Sequence, residues 1–565
     1  MEPMIRAITN CQVGYQINQQ SVSLLAYADD LALVAESLDG LKKQLEAATA
    51  MANWSGLKFN PKKCSSLHVL GHQFTALPSK FKIQGQNMEI CKTTDLYQHL
   101  GVPTGFSMQS TADNTIKKMT EDVIKIDNSL LAPWQKIDAV NTFIIPRLSF
   151  TLKCAYVQKK SLRELDKTIK KHGKKWLNLP QRASVEPLYM AYKDGGMNLL
   201  PLALLVDISE VAHAIRLFTS NDNNIREAAQ DAINTVIKKR IGRLPSAEER
   251  EQFLNGSMDG DFARGATDIR SCWTNLRAAS TRLKKMMDLS WHSTENGIAA
   301  TVNTTVLTRT RCEFTLRDAA RTFYKKKLLN KKDQGKVAQT TTMAPVSNFF
   351  MKDGSFTRFA EWRFIHRARL GVVPLNGCRR FGNGDKRCRR CNYSNETLPH
   401  VLNHCLGQHG RTMTKRHDAI LNRLVKAISQ QQSITKLDIN KSVPGCDGQL
   451  RPDLVIQREE EKEVVIIDVT VPFDNTYEAF EAARMEKKRK YAEIKTHFEN
   501  QGFKVFCDAF IIGSLGGYDP ANIGCLINAR ISRKYSTLMK KLMVSDTIRW
   551  SRDIYIEHIT GQRQY

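Results

Sequence analysis

The longest apolar run in this 565-residue chain, Leu199 to Val206, falls far short of the roughly 20 residues a helix needs to cross a bilayer, which excludes a helical membrane span. The opening Met1-Glu2-Pro3 lacks a basic leader followed by an apolar stretch, so no secretion signal is expected. No internal repeat or long low-complexity tract interrupts the sequence, and its composition is globular. Thirteen cysteines, an odd number and mostly scattered, do not form a disulfide framework and point to a reducing intracellular compartment. Acidic residues are in short supply, 57 against 84 lysines and arginines, a formal charge of +27. A surplus of that size favours a polyanion as partner, because it neutralises phosphates and releases their counterions. With no apolar span to accompany it, the charge suits nucleic acid better than a lipid surface. The length exceeds what one core supports and predicts three or four domains.

The most informative stretch is Arg451-Pro452-Asp453, followed by Leu454-Val455-Ile456, an acidic turn at Glu459 to Lys462, and Val464-Val465-Ile466-Ile467-Asp468-Val469. It reads as a hairpin of strands buried on both faces, with one acid opening the first strand and another near the end of the second. Buried like charges need a compensating partner, and hard carboxylate oxygens suit Mg²⁺. Downstream, Thr476 to about Asn500 has helical composition and carries Lys487, Lys488, Arg489, Lys490 and Tyr491; the next strand runs from Lys504 to Ile512. Acid-bearing strands followed by a lysine-bearing helix make a metal-nuclease pattern, in which a lysine orients the attacking water or stabilises developing charge.

Cys388, Cys391, His400 and Cys405 give C-x2-C-x8-H-x4-C, with His404 an alternative fourth ligand one helical turn beyond His400. Four such ligands in tetrahedral number predict a structural Zn²⁺ site. Arg379, Arg380, Lys386, Arg387, Arg389 and Arg390 crowd the same stretch, and zinc would fix this loop for docking on nucleic acid. Before the hairpin, Arg416-His417-Asp418 opens a helix running to Ile428, with Asp418 a minor candidate for a further acid.

Near the start, Tyr27-Ala28-Asp29-Asp30 sits between apolar runs, the shape of a hairpin with acids at its tip. Leu38, Leu41, Leu45 and Ala48 then recur at helical spacing, ahead of Gly56-Leu57-Lys58-Phe59-Asn60-Pro61-Lys62-Lys63-Cys64 and Leu100-Gly101-Val102. Further on, Leu165 to Leu177 is a basic helix with Lys167, Lys170, Lys171, Lys174 and Lys175 on one face, where phosphates are the expected counter-charge; Gly173 weakens its continuity. Asp207 to Ser347 reads as mainly helical, with Gln339 to Ser347 a linker.

The Asp453 and Asp468 hairpin resembles the PD-(D/E)xK restriction-like endonucleases, with Thr470 where the usual lysine stands. The retrotransposon branch of that family takes its lysine from the next helix in a K-x-x-K-Y setting, which Lys487, Lys490 and Tyr491 match. The Y-A-D-D box, the G-L-x-x-N-x-x-K-C stretch and the L-G-V segment are similar to a reverse transcriptase palm, implying Asp29 and Asp30 as metal-site residues and Lys62 or Lys63 as a phosphate contact. Only 26 residues precede Tyr27, too few for a fingers subdomain and the earlier palm aspartate, so primer extension by this chain alone is not expected.

Taken together, the order of motifs resembles the C-terminal part of the polyprotein of site-specific non-LTR retrotransposons. Glu361 to Arg369 and Ile511-Ile512-Gly513-Ser514-Leu515-Gly516 extend the likeness over nearly the whole chain. It implies a multidomain α+β protein: a partial palm (1–125), a helical thumb (126–206), a mainly helical basic linker (207–347), a zinc-knuckle region (348–410) and a restriction-like α/β nuclease (411–565). Implied cofactors are Mg²⁺ and Zn²⁺, implied partners target DNA and element RNA, with nucleic-acid contacts at Lys62, Lys63, Lys170, Lys171, Lys174, Arg389 and Arg390, and the location nuclear, at least transiently. The implied activity is Mg²⁺-dependent DNA nicking by Asp453, Asp468, Lys487 and Lys490. The competing expectation is a catalytically idle remnant that still binds RNA or DNA.

Overall fold

The structure, a computed structural model, describes residues 1–17, 20–100, 102–106, 113–148, 159–263, 271–295, 297–378, 384–429 and 431–564. Gly101, Arg379 and Arg380 lie outside the described residues. Two compact units emerge, each assembled from three separated stretches. The first comprises Met1–Asp122, Phe143–Asp166 and Leu202–Ala319; the second comprises Val123–Thr142, Lys167–Pro201 and Ala320–Tyr565. Among the described residues no helix is long and apolar enough to cross a membrane.

In the first unit, the helix Glu2–Thr9 places Met4 and Ile8 in a core with Leu45, Ala48 and Ala52 of the helix Leu38–Ser55. That second helix starts where Ser37 accepts a bond from the Gly40 amide and stops at Gly56, whose φ of +70° suits glycine. Beside it the strands Leu24–Tyr27 and Asp30–Leu33 form the expected hairpin, with Tyr27 opposite Asp30. The stretch expected to be mainly helical also holds a three-stranded antiparallel sheet, Leu289–Thr294, Gly297–Val302 and Thr305–Val306. Its signal was alternation, since Leu289, Trp291, Ile298, Ala300 and Val302 are buried at period two.

In the second unit, the part carrying the acidic hairpin begins with helix α1 (Leu406–Ile428) and continues through strands β1 (Lys436–Ile439), β2 (Leu454–Arg458) and β3 (Glu463–Thr470). Helices α2 (Thr476–Lys490) and α3 (Ala492–Asn500), strand β4 (Lys504–Ile511) and the long helix α4 (Arg533–Thr560) follow. The sheet order is β1-β2-β3-β4, antiparallel except for the β3/β4 pair. Every residue of β2 is buried and so are Val464 to Val469, as continuous apolar runs demand. Val455, Val464 and Ile466 pack on one face against Tyr491, Ile494 and Phe498, while α2 lays Phe480 on Ala509 and Ile511.

Two expectations are corrected. Gln339 to Ser347 is not a linker: the helix Lys336–Thr341 carries Thr340 and Thr341 into the core, and Ser347 is fully buried, because small uncharged side chains there can be enclosed. The predicted helix over 476–500 is broken at Tyr491, where the chain turns its ring inward.

The segments flagged around Glu361 to Arg369 and Ile511 to Gly516 prove to be one packed assembly. Fully buried Asp474 accepts the amides of Leu515 (2.6 Å) and Gly517 (2.9 Å), and a side chain at Gly513 or Gly517 would strike its carboxylate. Arg369 donates to Leu515 O (3.1 and 3.0 Å), Ser347 O (2.9 Å) and Asn348 Oδ1 (2.6 Å). Burial pushes the Asp474 carboxyl up, and the Arg369 charge works against that rise. Arg369→Ala is expected to cost at least about 1–3 kcal/mol, the penalty for a buried acceptor left without its donor, because it strips Leu515 O, Ser347 O and Asn348 Oδ1 of the guanidinium; denaturant unfolding measures it.

The basic helix is continuous over Lys159–Trp176, with Gly173 pressed against Leu188. Asp127 anchors it: Lys175 Nζ stands 2.7 Å away, His172 Nδ1 3.2 Å and Trp176 Nε1 2.8 Å. Burial raises the Asp127 carboxyl, but hydrogen bonds from Lys175 and Trp176 and the His172 charge outweigh it, holding the pKa near about 2. A depressed carboxyl stabilises the fold fully above its ordinary 3.8 and loses that contribution as pH falls through about 2. Trp176 fluorescence, isolated as the difference from Trp176→Phe, should therefore change across that acid window and not in Asp127→Asn.

Candidate metal centres and nucleic-acid surface

The last β2/β3 pair is Leu454 with Ile467, so continuing the register by one residue sets Asp453 opposite Asp468. Both are buried, at 8% and 3% exposure, on the sheet face covered by Tyr491. The Lys487 ammonium, brought by α2, lies 2.7 Å from Asp468 Oδ2, and Tyr491 donates to Asp468 Oδ1 at 2.6 Å. Burial first, then Asp468, raises the Tyr491 hydroxyl, keeping it a donor. Asp453 Oδ2 accepts the Val469 amide at 2.6 Å and lies 3.0 Å from His417 Nε2 on α1.

His417 was not singled out from the sequence. Its Nε2 is also 3.2 Å from Val469 O and its Nδ1 3.1 Å from Asp418 Oδ1. Burial opposes its charge, yet Asp453 and then Asp418 hold its pKa up at about 9. Asp418 thus touches the site through His417. Lys490 does not reach the carboxylates in this structure: it is exposed, its ammonium 5.0 Å from the centre of the Tyr491 ring. Two buried acids compensated by two cationic groups, with the Val469 carbonyl beside them, form a hard-oxygen set that fits Mg²⁺.

At the second centre, the ligand atoms of Cys388, Cys391, His400 and Cys405 all lie within 4.8 Å of one another. The local cause is a single π-turn over His400–His404, in which the Cys405 amide bonds His400 O at 2.8 Å. This widened turn swings Cys405 to the cluster and leaves His404 exposed, deciding between the two candidate ligands. Burial and then the neighbouring Cys391 and Cys388 push the Cys405 thiol up. The donor set fits tetrahedral zinc.

Behind it stand residues the sequence did not reveal. Glu396 accepts from the amides of Arg389 (3.0 Å) and Asn376 (2.7 Å) and from the Arg389 guanidinium (2.8 Å to each oxygen). His558 of α4 lies 2.9 Å from Glu396, 3.8 Å from Cys388 Sγ and 3.1 Å from His409. Although burial raises the Glu396 carboxyl, Arg389 and these amides hold it at about 2. His558 follows Cys405 by too many residues for any spacing rule to join them.

The basic candidates divide. Arg389 and Arg390 make bonds within the protein, their guanidinium groups reaching Glu396 (2.8 Å) and His558 O (2.8 Å). Lys174 is buried, donating to Gln181 O (2.7 Å) and Ala183 O (2.6 Å). Lys170 and Lys171 are exposed, and Lys170 lines a cleft of about 560 Å³ with Lys174, Arg182, Lys331 and Lys332. In the first unit Asp29 and Asp30 are exposed at the hairpin tip, where Ala28 has φ +56°, and Lys62 and Lys63 are exposed on the short turn Pro61–Lys63.

Residues 1–110 match the family of reverse transcriptases (RNA-dependent DNA polymerases). Over most of its length the chain is similar to retrotransposon polyproteins. It is 21% identical over 525 residues to the retrovirus-related Pol polyprotein from type-2 retrotransposable element R2DM of Drosophila melanogaster, covering 89% of this chain and 42% of that protein. With the corresponding polyprotein from type-1 element R2 of Nasonia vitripennis it shares 22% identity over 552 residues, 93% of this chain and 44% of the relative. An R2 polyprotein from Popillia japonica is 21% identical over 524 residues, 91% of this chain and 94% of its own length. The chain therefore spans less than half of the Drosophila and Nasonia relatives. These similarities support a retrotransposon polyprotein carrying a reverse transcriptase domain.

Proposed function

We propose that this chain is the C-terminal portion of a non-LTR retrotransposon reverse transcriptase and endonuclease, whose second unit nicks DNA to prime reverse transcription. The observation that carries the reading is the register: Asp453 and Asp468 oppose each other on adjacent buried strands with the Lys487 ammonium 2.7 Å from the second acid. Bound there, Mg²⁺ supplies Lewis acidity toward the scissile phosphodiester and a water of lowered pKa. Asp453 and Asp468 hold the ion, Tyr491 fixes the rotation of Asp468, and Lys487 is placed to orient the water or to meet charge developing on the phosphate. Cys388, Cys391, His400 and Cys405 hold a structural zinc. In the first unit Asp29 and Asp30 belong to the polymerase metal site and Lys62 or Lys63 contacts phosphate. Lys170, Lys171 and the basic cleft bind the backbone of target DNA or element RNA, and the protein is nuclear at least transiently.

A plasmid-nicking assay with Mg²⁺ tests the reading. Conversion of supercoiled to open-circle DNA that disappears in Asp468→Ala supports it. Salt-sensitive binding without metal-dependent cleavage would replace it with an idle nucleic-acid-binding remnant.

A further inference from the structure

We propose that His417 is a positioning residue of the nuclease metal site, fixing which oxygen of Asp453 faces the ion and tying that acid to the main chain beside Asp468. The inference rests on the reading of Asp453 and Asp468 as metal ligands, and it is carried by geometry. His417 Nε2 lies 3.0 Å from Asp453 Oδ2 and 3.2 Å from Val469 O, so one ring nitrogen joins the strand entry bearing the first acid to the peptide following the second. The Val469 amide adds its own 2.6 Å bond to the same Oδ2. Two donors converging on Oδ2 set the carboxylate's rotation. Asp418, 3.1 Å from Nδ1, braces the far side of the ring, so its plane is held from both nitrogens. Both His417 and Asp418 stand on α1, a 23-residue helix whose Arg416 is bonded to Leu402 O (3.0 Å) and Ser551 Oγ (3.0 Å); the ring is therefore delivered from a rigid element. Outer-layer donors of this kind orient metal ligands, and their loss weakens metal binding by about 10–100-fold.

The test titrates Mn²⁺ onto the full chain by electron paramagnetic resonance, with zinc content and thermal midpoint measured on each variant to confirm folding. His417→Ala should bind Mn²⁺ about 10–100-fold more weakly, and its nicking should recover as Mg²⁺ is raised. His417→Gln, which keeps an N–H donor, should restore part of the affinity, an outcome a purely packing role would not give. Unchanged affinity in His417→Ala overturns the proposal. Tighter binding does so too, because it would make the ring a competing cation. If wild type and Asp453→Asn bind Mn²⁺ alike, the metal-site reading itself fails, which separates that failure from an error about His417.

Discussion

Asp468→Ala is expected to lower Mg²⁺-dependent nicking by more than about 10²-fold, since even the outer partners of a metal ligand are worth 10–100-fold. Its effect on stability should be small or favourable. Asp468 is buried at the position opposite Asp453 on the neighbouring strand, and removing it relieves the cost of burying like charge. The groups it leaves behind have other outlets: Tyr491 OH also lies 3.1 Å from Arg451 O, and the Lys487 side chain is 24% exposed. Lys487→Ala should lower turnover by about 10²–10³-fold, the scale for losing one preorganised charge-stabilising donor, with little change in DNA affinity. Single-turnover nicking alongside thermal unfolding separates chemistry from folding. Nicking that survives Asp468→Ala would sink the assignment.

Removing zinc is expected to have the largest effect on stability. Structural zinc in small knuckles supplies on the order of 10 kcal/mol of apparent binding energy, comparable to the whole stability of about 5–15 kcal/mol typical of a domain. Here the loss should spread, because Cys388 touches His558 of α4 and Glu396 joins that histidine to Arg389 and Asn376. Chelation or Cys388→Ser should lower the thermal midpoint and open α4 to proteolysis. Elemental analysis should find zinc in the wild-type chain and none bound at this centre in Cys388→Ser. A full zinc complement and unchanged midpoint in Cys388→Ser would refute the assignment.

Much of both centres was legible because their residues are close in sequence or share a strand ladder. The acidic hairpin needed only two apolar runs and a charged turn, and the register then followed from pairing. Lys487 was legible as a lysine on the next helix, but the break at Tyr491, which turns the hydroxyl onto Asp468, was not: the composition of 476–500 is helical throughout. Cys405 and His404 were equally good ligands by spacing until one π-turn chose between them. That Lys174, Arg389 and Arg390 bond oxygens of the protein was not legible, since a sequence displays charge without showing what it faces.

By itself, then, the sequence determined the types of chemistry present: acids on paired strands, a four-ligand zinc spacing, a Y-A-D-D turn and a large basic excess. These are set by neighbours along the chain and by periods of two or three to four residues, which backbone geometry fixes locally. Only the tertiary structure decided which charges are spent internally and which distant groups complete a site, such as His417 on Asp453 and His558 behind Cys388. The physical reason is range: hydrogen bonds and ion pairs act over a few ångströms, and which groups come that close is settled by burial of cores drawn from stretches far apart in sequence.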